Sequence, residues 1–134
     1  MLGLIGPAAP PPPGSPSGGM TQDRLHKILN AETQKLRDAG LSTKFLFINP
    51  QSQLEENLKP IRDALSAEKY SCVMIGAGVR TFAEHTLTFE EVVNLVHRLA
   101  PESKFCFNSN PGDTAAAVFR AIDGCVTERG QPNA

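Results

Sequence analysis

A glycine-rich segment that ends in an arginine is the part of this chain best suited to chemistry. Residues 76–80 read Gly-Ala-Gly-Val-Arg and directly follow the apolar run 72–75. Two glycines let the main chain approach a phosphate or carboxylate, and the guanidinium of Arg80 can bind such an anion through two hydrogen bonds. The segment therefore predicts an anion site made by Gly76, Gly78 and Arg80. The alternative, in which the glycines only form a turn and Arg80 is a solvated surface charge, stays open.

Two further groups of polar side chains are candidates for the same site. Asn108 and Ser109 follow another apolar run and precede Pro111, so they offer hydrogen-bonding groups beside the start of a helix. Asn108 could instead only end its strand, and Asn110 could only cap the helix that follows. His85 follows Glu84, but adjacent side chains rarely face each other, so the pair does not indicate a general base with an orienting carboxylate. The predicted ligand-binding residues are Gly76, Gly78, Arg80, His85, Asn108 and Ser109, and no catalytic residue is assigned.

The known nucleotide and metal motifs are incomplete or absent in this sequence. A dinucleotide fingerprint needs a third small residue after Val79, and Thr81 is there instead. Cys72 and Cys106 lie inside apolar runs, which favours buried, inert thiols over nucleophiles. We find no set of convergent metal ligands. The sequence thus predicts no metal site and leaves the cofactor unknown.

Length and charge limit the classes of partner. The chain has 134 residues and a formal net charge of −1, which suits one domain without the clustered basic surface that nucleic acids or anionic membranes attract. No apolar run approaches the roughly 20 residues of a bilayer-crossing helix, and the apolar start lacks a basic leader. Three cysteines without close spacing suit a reducing compartment. We therefore expect a soluble, cytoplasmic protein that binds neither nucleic acid nor membrane.

Hydrophobic periodicity predicts alternating strands and helices that would position these residues. Short apolar or aromatic runs predict strands at 2–5, 44–49, 71–75 and 104–107, the second of them buried on both faces. Whether residues 1–6 form a strand or a disordered start stays open. Helical stripes predict helices from the cap Thr21 to Gly40, from about Pro60 to Lys69 after a turn at 53–57, from the Thr88/Glu91 capping box to Pro101, and from the cap Asn110 to 122–124.

This order of elements indicates the fold class. Short right-handed crossovers between consecutive strands give an α/β three-layer sandwich with a small four-stranded parallel sheet, either Rossmann-like or flavodoxin-like. A single domain is expected over residues 1–125, with a Pro/Gly-rich loop at 7–19 and a flexible tail at 126–134.

Three short segments stand out in the sequence: Gly-x-Gly-Val-Arg at 76–80, Val-Val-Asn-x-Val-His-Arg at 92–98 and Asn-x-x-Pro-x-Asp-Thr at 108–114. Together they resemble segments of small stand-alone α/β proteins of bacteria and fungi. The resemblance covers mainly the second half of the chain. It implies a Rossmann-like or flavodoxin-like fold and gives weight to Arg80, Asn108 and Asp113, but the group has no assigned activity.

Ligands of open parallel sheets bind beyond the carboxyl ends of the strands, where the predicted site residues should meet. We therefore expect an anionic or nucleotide-like small molecule to bind at this edge. A protein-interaction or self-association module without ligand or catalysis is the alternative. An enzyme that borrows catalytic groups from a second subunit of a homo-oligomer is a third reading, which the sequence does not separate from the first.

Overall fold

The structure is a computed structural model, and it describes residues 1–6, 22–49 and 51–127, with the side chains of residue 22 and residues 123–127 left out of the description. The predicted loop at 7–19, the predicted cap at Thr21 and the tail residues 128–134 lie outside these ranges. Residues 126 and 127 of the predicted tail belong to the last helix.

Four parallel strands form one sheet, which confirms the predicted α/β fold class. The strands are β1 (Leu2–Ile5), β2 (Lys44–Phe47), β3 (Cys72–Ile75) and β4 (Lys104–Cys106). They lie in the order β2-β1-β3-β4, with Leu4 of β1 paired to Leu46 on one side and to Ile75 on the other. This is the order of the first four strands in flavodoxin-like sheets, and it reverses direction between β1 and β3.

Helices cover both faces of the sheet. They are α1 (Gln22–Asp38), α2 (Leu54–Ala67), the single turn α3 (Ala77–Arg80), α4 (Thr86–Leu99) and α5 (Thr114–Thr127). The apolar stripes of α1 and α5 pack on one face of the sheet and those of α2 and α4 on the other. Side chains of β3 alternate between these two cores, because successive residues of a strand point to opposite faces. None of the helices within the described ranges is long and apolar enough to cross a bilayer.

The strand prediction at 44–49 is wrong about burial. In β2, Lys44 and Phe47 are exposed, whereas Phe45 and Leu46 are only half-buried. The physical reason is position, because β2 is an outer strand and pairs on one side only among the residues that the structure describes. An apolar run in the sequence cannot distinguish an outer strand from a central one.

The predicted break of the second helix at Pro60 is also wrong. Helix α2 runs without interruption from Leu54 to Ala67 with Pro60 inside it. A proline there removes the hydrogen bond to the carbonyl of the residue four positions earlier, which is Glu56. Both Pro60 and Glu56 are exposed. Water can therefore solvate the carbonyl, which is why the helix tolerates the proline.

The fourth helix begins earlier than its predicted capping box. A 3₁₀ turn at Ala83–His85 leads directly into α4, whose first residue is Thr86. Thr88 is consequently a buried residue of the first turn, not the residue that caps the helix. The Thr86 hydroxyl donates to the Ala83 carbonyl oxygen at 2.7 Å and stabilises the junction of the two helical segments.

Candidate ligand site at the carboxyl ends of the strands

A cavity of about 270 Å³ opens at the edge of the sheet where β1 and β3 end. This place is the switch point of the strand order, because the chain leaves β1 towards β2 on one side and enters β3 on the other. Its walls combine the carboxyl ends of three strands with two leucines of α1. The lining residues are Ile5, Gly6, Leu25, Leu29, Gly76, Ala77, Gly78, Thr81, Phe82, Asn108, Ser109, Asn110 and Pro111.

Glycine at position 6 is required by a close contact of two main chains. A Cβ atom added at Gly6 would lie 2.4 Å from the carbonyl carbon and oxygen of Gly78, well inside van der Waals contact. At Gly76, an added Cβ would lie 3.0 Å from the Leu4 carbonyl oxygen. The two glycines therefore let α3 lie directly against the end of β1, and this contact shapes one side of the cavity.

Ala77–Arg80 form a single helical turn, α3, so the segment after β3 is not an open loop. Gly76 precedes the turn in extended conformation, and the amide of Ala77 donates to the Asn108 side-chain oxygen at 2.9 Å. The Val79 amide donates to the Gly76 carbonyl oxygen at 3.0 Å. Two of the amides that an anion could have used are thus paired within the protein.

Asn108 is the residue that joins the two halves of the site. Its side chain is buried, with 3% of the residue exposed. While its oxygen accepts from Ala77, its amide nitrogen donates to the Thr114 hydroxyl at 3.2 Å, and that hydroxyl donates to the Pro111 carbonyl oxygen at 2.8 Å. Asn108 therefore ties the segment after β3 to the start of α5 through a satisfied network.

The guanidinium of Arg80 is bound by main-chain oxygen atoms. Its Nε donates to the Ile75 carbonyl oxygen at 3.1 Å, and one terminal nitrogen donates to the carbonyl oxygen of Asn108. The guanidinium carbon also lies 5.2 Å from the centre of the Phe107 ring, within the range of a cation–π contact. Arg80 does not line the cavity. Its observed contacts connect the ends of β3 and β4.

The Asp113 carboxylate accepts hydrogen bonds from the main-chain amides that lead into the last helical segment. It accepts from the Ser109 amide at 3.0 Å, from the Asn110 amide at 3.3 Å and from the Ser109 hydroxyl. Burial alone raises the pKa of Asp113, but the hydrogen bonds from Ser109 and Asn110 and the charge of Arg120 lower this pKa below its ordinary value. The carboxylate stays ionised, so this rim of the cavity already holds an anion.

Asn110 caps the same segment, as predicted from its place before proline. Its side-chain oxygen accepts from the Gly112 amide at 2.8 Å, and Pro111 is the first residue of the 3₁₀ turn Pro111–Asp113 that precedes α5. The capping box of Asn110 and Asp113 fixes the direction in which the chain leaves β4.

His85 is buried, with 7% of the residue exposed. Its Nδ1 lies 3.0 Å from the Gly78 carbonyl oxygen, so Nδ1 carries the hydrogen and donates it. The imidazole also meets the Phe82 ring edge-on at 5.2 Å. His85 is thus bound to Gly78 within α3, and it does not line the cavity.

Four of the six predicted site residues, Gly76, Gly78, Asn108 and Ser109, surround the cavity. Sequence analysis missed the apolar walls Leu25, Leu29 and Phe82, because a leucine in a helical stripe has the same signature whether it faces core or cavity. It also missed Thr114, which is fully buried. The signals for Thr114 are its place directly after the capping box and at the end of the Asn-x-x-Pro-x-Asp-Thr segment.

The described residues contain no group of three or more side chains able to hold a metal ion. Cys72 and Cys106 are buried free thiols on neighbouring strands. The hydrogen bond between the two thiols and their burial raise the pKa of Cys106 far above its ordinary value, which makes this thiol unreactive.

Comparison with known proteins gives no family for this chain. No protein-family model matches it, and a search of curated proteins finds no significant match. The site must therefore be interpreted from its own geometry.

Proposed function

We propose that this protein binds a small nucleotide-like molecule at the carboxyl-end edge of its sheet, with a ring of the ligand in the cavity between β1, β3 and α1. The observation that supports this proposal is the position of the cavity at the switch point of a flavodoxin-like sheet. Open α/β sheets bind their ligands at this point, because the two diverging connections leave a crevice there.

The lining favours an uncharged ring over an anion in the cavity itself. Ile5, Leu25, Leu29 and Phe82 supply apolar walls. Several polar groups nearby are already paired, since Arg80 donates to two carbonyl oxygens and Asp113 accepts from the Ser109 and Asn110 amides. A volume of about 270 Å³ is near the lower end of ligand pockets, so one ring system with short substituents fits. A phosphate or carboxylate of the ligand would lie outside the cavity.

The test is a binding screen with a variant that fills the cavity. Thr81 lines the cavity and is exposed, so a phenylalanine there can enter the space without disturbing the core. Nucleosides, nucleotides and unphosphorylated heteroaromatic rings would be screened by ligand-observed NMR. We expect at least one nucleoside or free heteroaromatic ring to bind the wild-type chain, and Thr81→Phe to weaken that binding by about tenfold or more because ring and side chain compete for one space.

Thr86→Phe is the matched control. Thr81 and Thr86 are both exposed, and their hydroxyls donate to the Ala77 and Ala83 carbonyl oxygens at 2.6 Å and 2.7 Å. Thr86 does not line the cavity. Equal loss of binding in both variants, or binding of phosphate-bearing compounds alone with no contribution from the ring, would contradict the proposal.

A protein-interaction module is the second candidate function. Each outer strand ends in or beside an exposed phenylalanine, with 53% of Phe47 and 40% of Phe107 accessible. Such aromatic residues can anchor a partner or a second copy of the chain. In that case light scattering after size exclusion would give more than the monomer mass, and Phe47→Ser or Phe107→Ser would restore the monomer. Binding of cavity ligands would then be absent.

We also propose a cytoplasmic location, which is supported by the free thiols of Cys72 and Cys106, because a reducing compartment preserves such cysteines.

A further inference from the structure

Two segments supply most of the polar lining of the cavity at the switch point, one that follows β3 and one that follows β4. An N–H group in such a place needs an acceptor from the protein, from water or from a ligand. In native proteins, N–H groups without an acceptor are rarer than carbonyl groups without a donor. The donors of these segments that have no partner in the protein therefore indicate which chemical groups a ligand must offer.

Asn110 has one unpaired polar atom, the nitrogen of its side-chain amide. Its main-chain amide donates to the Asp113 carboxylate at 3.3 Å, and its carbonyl oxygen accepts from the Asp113 amide at 3.2 Å. Its side-chain oxygen accepts from the Gly112 amide at 2.8 Å, which fixes the plane of the side-chain amide. Among the described residues, no group accepts from Nδ2 of Asn110. Since Asn110 is exposed and lines the cavity, water solvates this nitrogen until a ligand replaces the water.

The main-chain amide of Gly78 is the second unpaired donor. Gly78 is the second residue of α3, so its amide has no acceptor inside the helix. Within the part of the chain that the structure describes, no other group accepts from this amide. The Ala77 and Val79 amides on either side of it are both paired within the protein. Gly78 is half-buried and lines the cavity, so this donor comes from the β3 side and that of Asn110 from the β4 side.

The side-chain amide oxygens of the lining are already engaged. Asn108 accepts from the Ala77 amide, and Asn110 accepts from the Gly112 amide. A ligand acceptor would thus meet two donors that have no competing partner. A ligand amino group would instead have to share oxygens that already accept a hydrogen bond. The lining therefore favours a ring whose polar edge carries acceptors.

We propose that the ring bound in this cavity carries a carbonyl group, as keto purines and pyrimidines do, and that Asn110 and Gly78 select this ring by donating to its acceptors. The inference rests on the proposed function, because a ring must enter the cavity before its edge can be recognised. A carbonyl oxygen has two lone pairs and can accept from both amides. A ring with an amino group in the same place would bring donors towards donors, which leaves polar groups unpaired and lowers affinity.

The test compares nucleosides that differ at one ring position. Inosine has a carbonyl group where adenosine has an amino group and purine riboside has a hydrogen, and uridine and cytidine form a second pair. Ligand-observed NMR gives the dissociation constants. In the series that binds more tightly, we expect the carbonyl-bearing nucleoside to bind about fivefold more tightly than its amino counterpart. The Gly78 amide resonance of the ¹⁵N-labelled chain should also shift more with the carbonyl-bearing compound.

The outcomes separate this inference from the proposed function. Equal affinity of the two compounds, or tighter binding of the amino-bearing one, would overturn the selection by Asn110 and Gly78 and leave ring binding intact. If no nucleoside and no free heteroaromatic ring binds at all, the proposed function fails and this inference fails with it.

Asn110→Ser tests the role of the side-chain amide. Serine caps a helix about as well as asparagine, so the variant is expected to keep its fold while it loses Nδ2. The carbonyl-bearing nucleoside should bind about fivefold more weakly and the amino-bearing one as before, so the preference disappears. Asn94→Ser is the matched control and should retain the preference, because Asn94 is exposed on α4 and does not line the cavity. An unchanged preference in Asn110→Ser, or an equal loss of affinity for both nucleosides, would refute the assignment to Asn110.

Discussion

The Arg80 guanidinium is fixed by oxygen atoms that belong to two different strand ends. It donates to the Ile75 carbonyl oxygen after β3 and to the Asn108 carbonyl oxygen after β4. A planar guanidinium can reach both because its donors diverge from one rigid plane, whereas an ammonium is a single point on a flexible stem. The arginine therefore stabilises the edge of the sheet at which the cavity opens.

Replacing Arg80 by lysine should lower the stability of the protein. The change keeps the charge but removes at least one of the two hydrogen bonds to carbonyl oxygens and weakens the contact with Phe107. We expect the free energy of unfolding to fall by about 1–3 kcal/mol. Urea denaturation followed by far-ultraviolet circular dichroism measures it.

Arg98→Lys is the control for this change. Arg98 is exposed on α4, and the described residues give it no hydrogen-bond partner or ion pair, so its replacement should change stability by less than about 0.5 kcal/mol. If Arg80→Lys changed the stability as little as Arg98→Lys, Arg80 would be a solvated surface charge, as one reading of the sequence allowed.

At the scale of the element, α1 and α5 are joined by a buried carboxylate. Only 3% of Glu32 is exposed, although it lies on the same helical stripe as Leu29 and Leu36. Its Oε1 accepts from the Ala115 amide at 2.8 Å, and its Oε2 lies 2.7 Å from the Lys35 ammonium. Glu32 thus satisfies an amide in the first turn of α5, where a negative charge also stabilises the helix dipole.

Replacing Glu32 by two different residues should separate the contribution of its hydrogen bond to the Ala115 amide from the contribution of its charge. Glu32→Ala leaves the buried Ala115 amide without an acceptor and should cost about 2–3 kcal/mol of unfolding free energy. Glu32→Gln keeps an oxygen that can accept the hydrogen bond and loses only the charge, so the unfolding free energy should fall by about 1 kcal/mol. Urea unfolding of both variants is the measurement.

Lys35→Ala is the control, because Lys35 is 61% exposed and its ion pair should contribute less than about 1 kcal/mol. An alanine variant as stable as the glutamine variant would show that the hydrogen bond to Ala115 contributes nothing.

The sequence contained part of this information. A carboxylate at a position of the apolar stripe of α1 is a sign of a buried polar contact, but the partner is 83 residues away along the chain and cannot be recognised from residue types. Helix starts show the same limit. The cap at Asn110 follows from side-chain chemistry next to a proline, whereas the start of α4 depends on a 3₁₀ turn at Ala83–His85 that has no such signature.

At the scale of the whole molecule, the order of the strands determines where a ligand can bind. Apolar runs predict that strands exist, and short right-handed crossovers predict that they are parallel. Neither tells which strand lies at the centre, because lateral order depends on how the helices pack. The order β2-β1-β3-β4 places the ends of β1 and β3 next to each other, and only then do Gly6 and Gly78 come into contact.

This order also predicts how stability is distributed across the sheet. Strands β1 and β3 have a partner on both sides, and all their residues are buried, whereas β2 and β4 are outer strands with exposed side chains. Amides of the two central strands should therefore exchange with solvent only on global unfolding, while those of the outer strands exchange through local opening at rates about tenfold higher or more. Hydrogen exchange followed by NMR, residue by residue, tests this.

Outer strands that exchange as slowly as Leu4 and Met74 would mean that their edges are covered, which is the result expected of the self-association module. Slow exchange confined to the centre, with further slowing of the amides of Gly78 and Val79 when a ring-containing ligand is added, is the result expected of a monomer that binds its ligand at the switch point.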